Sequence, residues 1–137
     1  MIQEFVPVSF NKMMQSKAYT VVVLGDESKR FAIYMEPEVG RTLLSFLTEE
    51  KRARPLSHTL FLSMLDNLEI KVLQIIIQDY KETVYFARIF LEQSHGEKRQ
   101  IIEIDARPSD AILLGVMAGA PILCNKKIFD IITPFQE

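Results

Sequence analysis

Two short stretches concentrate the side chains that could do chemistry: Arg54-Pro-Leu-Ser-His58 and Glu103-Ile-Asp-Ala-Arg-Pro-Ser-Asp110. Each carries Arg-Pro and then a serine directly ahead of an apolar run with helical spacing, and the two differ by one inserted residue, Leu56. Proline at the first helical position and a serine or aspartate in the first turn suit any helix start, so shared capping chemistry accounts for the echo. The arginines invite a further reading. A guanidinium is a planar donor matched to two phosphate oxygens, so Arg54 and Arg107, each at a helix start with N–H groups nearby, could cradle a phosphodiester. They could equally pair with Asp110, Asp105 or Asp66.

His58 falls in the first turn of its helix, where the positive end of the helix dipole favours the neutral, proton-accepting imidazole. A surface or hydrogen-bonding role is the plainer alternative. His95, beside Gly96 in a polar turn, reads as solvent-exposed. On an alternating strand Glu103 and Asp105 project to one face and Ile102 and Ile104 to the other, towards the helices. Two carboxylates so placed could hold a hard cation with water and a substrate phosphate, or could simply flank a solvated sheet face. Asp110, about the third residue of its helix, suits capping or dipole compensation. The P-loop, the dinucleotide glycine pattern, paired Cys-x-x-Cys and His-Glu-x-x-His are all absent. The single cysteine, Cys124, sits in an apolar run and reads as a small core hydrophobe.

The elements that must position these groups follow from periodicity. Val6 to Phe10 alternates but contains Pro7, which suits an edge strand. Tyr19–Leu24 reads as a buried strand, returning through Gly25–Ser28 into Arg30–Met35. Pro37 opens a helix with Glu36 and Glu38 at its N-terminus and an apolar stripe of Leu43, Leu44, Phe46 and Leu47. Ser57 is a candidate N-cap for a second helix whose stripe is Leu60, Phe61, Met64, Leu65 and Leu68. Ile70–Ile77, Thr83–Leu91 and Gln100–Asp105 predict a three-stranded antiparallel meander, with turns at Asp79–Glu82 and Ser94–Lys98. Pro108 to Ala118 predicts a third helix ended by Gly119, followed by a short strand at Ile122–Cys124 and a short helix from Lys126 to Ile132. The order is that of an α+β fold: a largely antiparallel mixed sheet packed with about three helices, in a single compact domain over residues 1–137.

Composition fits this. With 137 residues, 48% hydrophobic and 25% charged, the chain matches ordinary globular proteins. The start of the sequence has no basic stretch followed by a continuous apolar one, and 18 apolar residues nowhere run together, so a cytoplasmic protein without a membrane segment is expected. A formal net charge of -2 argues against broad nonspecific binding of nucleic acid, which draws on Lys and Arg, although Lys51, Arg52 and Arg54, and Lys98, Arg99 and Arg107, form local basic clusters.

Arg54-Pro-Leu-Ser-His58 ahead of an apolar helix, and Asp105-Ala-Arg-Pro-Ser-Asp-Ala-Ile112 followed by Ala120-Pro-Ile122, closely resemble the two signature segments of the bifunctional nuclease family. The likeness spans roughly residues 19–132 and includes the pair of segments around Asp79-Tyr80 and Tyr85-Phe-Ala-Arg88. It implies a compact α+β domain, often an oligomer, acting on RNA and DNA. The implied site is His58, Asp105 and Asp110 as catalytic groups, with Arg54, Arg107 and Ser109 binding substrate. In that scheme Asp105 and Asp110 would position Mg²⁺ or Mn²⁺, the arginines would neutralise the scissile phosphate, and His58 would take or relay a proton. The chain departs from the family pattern twice. Where a Gly-x-x-Glu-Ala segment is usual it has Glu36-Pro-Glu-Val-Gly40, moving the glutamate to Glu38 or replacing it with Val39, and where Thr-His-Asp is typical Thr59 replaces the acid. The competing expectation is a non-catalytic oligomeric module in which the Arg-Pro-Ser-Asp segment only builds a helix cap and an ion-pair network.

Overall fold

A computed structural model describes residues 3–50 and 57–136. Seven strands and four helices follow in the order β1 (Phe5–Gln15), β2 (Thr20–Gly25), β3 (Arg30–Met35), α1 (Pro37–Leu47), α2 (Ser57–Asn67), β4 (Ile70–Lys81), β5 (Val84–His95), β6 (Lys98–Ala106), α3 (Pro108–Ala118), β7 (Ile122–Asn125) and α4 (Lys126–Ile131). One mixed sheet takes the order β3-β2-β1-β7-β4-β5-β6, with every pairing antiparallel except β4 with β7. The expected α+β architecture and the β4-β5-β6 meander are both present.

The sheet curls around α3. Phe31 on β3 lies 6.1 Å ring to ring from Tyr85 on β5, though β2, β1, β7 and β4 separate the two strands in the sheet. The helix in the hollow is therefore apolar on nearly every side, and Ala111 to Gly115 are all buried. Its seat is set by Gly115, where a Cβ would lie 2.7 Å from the Ile75 side chain on β4. Gly119, at φ 68°, ends the helix in the left-handed conformation that glycine adopts without steric cost. Cys124 is fully buried, and burial pushes its thiol up to about 12, so it stays protonated and inert as a core group.

Several expectations change. The strand carrying Pro7 is longer than its alternation suggests and lies inside the sheet, not at its edge. Its halves have different partners: Phe5–Val8 pairs with β7, and the register with β2 begins only at Ser9. On the β2 side Pro7 thus occupies a position without a ladder partner, where the missing N–H breaks no bond. The turn expected at Asp79–Glu82 shifts, because β4 continues through a bulge to Lys81 and reverses at Glu82 and Thr83, both at positive φ. Ser57 is already helical in α2, and so is not its cap. The stripes of α1 and α2 are only partly used: Leu44, Phe46, Leu47, Leu60, Met64 and Leu68 are exposed, while Leu43 and Leu65 are buried. Ile102 packs against the core as alternation demands, but Ile104 is exposed because β6 is an edge strand.

One contact fixes the start of α1. An added Cβ at Gly40 would stand 1.9 Å from the hydroxyl oxygen of buried Thr20 on β2. Glycine to alanine inside a helix ordinarily stabilises by about 1 kcal/mol. Here the overlap reverses the sign: Gly40→Ala is expected to destabilise the fold by about 1–3 kcal/mol in urea unfolding. A stabilised variant would contradict this account of the seat of α1.

Candidate functional site

Helices α1 and α3 begin alike. The residue before each proline, Glu36 and Arg107, is held extended at φ -64° with ψ near 147° and 142°, as steric exclusion ahead of proline requires, and neither side chain caps its own helix. Both side chains are left to reach outward, and they approach one another, with Arg107 Nη1 3.9 Å from Glu36 Oε1. The start of α2 arrives at the same place. A cleft of about 470 Å³ is lined by Glu36, Glu38 and Val39 from the first turn of α1, by Ser57 and His58 from the first turn of α2, and by Arg107 ahead of α3. The N-termini of α1 and α3, whose first-turn amides lack intrahelical partners, thus face one concavity with Ser57 and His58 of α2.

Behind the cleft Asp110 ties α3 to α2. Its Oδ2 accepts from Arg107 Nε at 2.8 Å and its Oδ1 from Arg107 Nη2 at 3.1 Å, a bidentate pair, while Oδ1 also lies 2.8 Å from His58 Nε2. The side chains of His58 and Asp110 are 19% and 28% exposed, and that of Arg107 is 58% exposed, so solvent reaches the group from the arginine side. Hydrogen bonding from Arg107 holds the Asp110 carboxyl below the usual carboxylate range; desolvation opposes this and the bond to His58 adds to it. An ionised carboxylate only accepts, so in the neutral ring Nε2 must carry the proton and Nδ1 the free lone pair. Arg107 spends two of its five N–H donors on Asp110 and keeps the Nη1 group at the cleft.

The structure thus brings His58, Arg107 and Asp110 together, and half-buried Ser109 adjoins them in the first turn of α3. Asp105 goes elsewhere. It lies on β6, 77% exposed and 4.0 Å from Arg88, and lines a separate hollow with Gln78, Asp79, Lys81, Phe86 and Arg88. Arg88 also faces Glu103 at 3.7 Å, so the two carboxylates of that strand share an arginine. Arg54 lies outside the described residues. Glu36, which the sequence assigned only to dipole compensation, also lines this cleft beside Arg107. Its signal was there, since Glu36-Pro37 repeats the residue-then-proline helix start of Arg107-Pro108.

A divalent cation does not fit this donor set. Among the described residues no three His, Cys, Asp or Glu side chains come together to hold a metal. Residues 51–56 contribute only Lys, Arg, Ala, Pro and Leu. Asp110 already serves a guanidinium and an imidazole, and Asp105 is committed beside Arg88 in the other hollow. The expected pairing of Asp105 with Asp110 around Mg²⁺ or Mn²⁺ is not assembled.

A family model described as the bifunctional nuclease domain matches residues 22–134. Two proteins of Arabidopsis thaliana, bifunctional nuclease 2 and bifunctional nuclease 1, are each 31% identical to the chain over 84 residues, which is 61% of this chain. That stretch is 25% and 26% of their respective lengths, so the chain matches about a quarter of each relative.

The lowered Asp110 value sets a pH signature. A carboxyl whose folded value lies below its unfolded 3.8 contributes its full stability above 3.8 and loses it as pH falls through the folded value. Asp110→Asn is therefore expected to be less stable than the parent at neutral pH, by on the order of 1–3 kcal/mol. The gap should close between about pH 5 and pH 2. A pH-independent gap in denaturant titrations would show that the ion pair is not its source.

Proposed function

The chain belongs to the bifunctional nuclease domain family, and we propose that it cleaves phosphodiester bonds of nucleic acid in the cleft where α1, α2 and α3 begin. The observation that carries this reading is the chain of contacts Arg107–Asp110–His58, which fixes an imidazole at a cleft also lined by an arginine with N–H groups not bonded to Asp110. Arg107 binds a phosphate oxygen, helped by the first-turn amides and, in this proposal, by Arg54 and the Ser109 hydroxyl. Asp110 positions the ring and stabilises the imidazolium that forms when Nδ1 accepts a proton. Glu36 and Glu38 also line the cleft and face Arg107 and Arg41 in turn, so a bound phosphate would displace these weak ion pairs.

A second reading, an oligomeric module without catalysis, has its own observation. Leu44 and Leu47 on α1, Leu60 and Met64 on α2 and Leu68 just past it are exposed large apolar side chains that a partner surface could cover. Assembly through them is compatible with either reading, so activity decides between the two.

The test is cleavage of labelled single-stranded RNA and DNA by purified protein. His58→Ala is expected to lower the rate about 10²- to 10⁴-fold, the usual worth of a positioned proton acceptor, with an unchanged circular dichroism spectrum. His95→Ala, in the turn between β5 and β6, should cleave as the parent does. Equal rates from the parent and His58→Ala would remove the site and favour the module.

A further inference from the structure

From the mismatch between this donor set and a divalent cation, we infer that the substrate is RNA alone, cut without metal by its own 2′-hydroxyl. The inference rests on the nuclease reading of the cleft and specifies its chemistry. Hydrolysis of a phosphodiester by water calls for a strong nucleophile, which nucleases commonly make by lowering the pKa of a metal-bound water. Among the described residues no three carboxylate, imidazole or thiol side chains come together to hold such a metal, and the Asp110 carboxylate is already engaged by Arg107 and His58. What the cleft does have is the His58 imidazole, whose Nε2 is turned to Asp110, so that in the neutral ring the lone pair lies on Nδ1.

A lone imidazole suits an internal nucleophile. A hydroxyl already joined to the reacting group gains an effective concentration of up to about 10⁵–10⁸ M over an external one, which takes the place of metal activation. The 2′-oxygen attacks the adjacent phosphorus, forming a new P–O bond while its proton passes to His58 Nδ1. The P–O5′ bond breaks with its electron pair on O5′, which takes a proton from water in the open cleft. The products are a 2′,3′-cyclic phosphate and a 5′-hydroxyl, and the imidazolium returns its proton to solvent. Arg107 offsets the charge that builds on the non-bridging oxygens during this transfer. DNA has no 2′-hydroxyl, so the same groups leave it intact.

The experiment uses the full chain in EDTA with three labelled oligonucleotides of one sequence: all-DNA, DNA with a single ribonucleotide, and that ribonucleotide as its 2′-O-methyl form. Mass spectrometry reads the ends. The expected result is cleavage only on the 3′ side of the free ribonucleotide, giving a cyclic phosphate and a 5′-hydroxyl. The rate should fall at least about 10²-fold in both His58→Ala and His58→Gln. Cleavage of all-DNA or of the 2′-O-methyl strand, or cleavage that appears only when Mg²⁺ or Mn²⁺ replaces EDTA, would overturn the inference while leaving the nuclease reading in place. No cleavage of any strand under any of these conditions, or cleavage that both His58 variants retain in full, would overturn the nuclease reading itself.

Discussion

A single carboxylate shared between a guanidinium and an imidazole organises the whole site. Asp110 receives both Arg107 donors on one side and His58 Nε2 on the other, so one side chain of α3 fixes the orientation of a residue on α2 and of a residue ahead of its own helix. The arrangement needs α3 to stand at one depth and one rotation. The core supplies that constraint, with a curled sheet enclosing the helix and Gly115 allowing it to settle against Ile75. Close packing of this kind resists small displacements, and a hydrogen-bonded pair at 2.8 Å tolerates few.

Much of this was legible in the residues. Proline after Glu36 and after Arg107 announced helix starts, Gly119 announced an end, and β-branched runs announced the meander. What periodicity could not supply was information about third dimensions. Pro7 suggested an edge because a proline forbids a ladder bond, yet β1 has different partners along its two halves, and the proline falls where one side is open. The stripes of α1 and α2 implied burial, but the hollow of the sheet holds one helix, α3, and the other two lean on it with much of their apolar surface outside.

The site shows the same division. Residue type singled out Arg107 and His58 as candidates and gave Asp110 a capping role, the family resemblance joined the three into one site, and His58 and Asp110 meet across 52 positions of sequence. Asp105 was paired with Asp110 as an implication of the family resemblance, both lying in its second signature segment. Strand geometry sends it instead to the open face of β6 beside Arg88, while Asp110 turns inward with the first turn of α3. Only Ala106 to Ser109 separate the two aspartates, which face two different surfaces. The acidic residue missing at Thr59 and the shift at Glu38 and Val39 point the same way: among the described residues the imidazole, its carboxylate partner and an arginine come together, and no group of three carboxylate, imidazole or thiol ligands does.

The central claim is that Asp110 fixes the His58 ring with its proton on Nε2 and leaves Nδ1 as the working base. Nitrogen-15 NMR of the histidine ring, at a pH where it is neutral, reads this directly. The account expects a single Nε2–H tautomer for His58 in the parent, relaxing to a mixed population in Asp110→Ala, with His95 unchanged in both. A His58 ring protonated on Nδ1, or one that averages freely between tautomers in the parent, would contradict it.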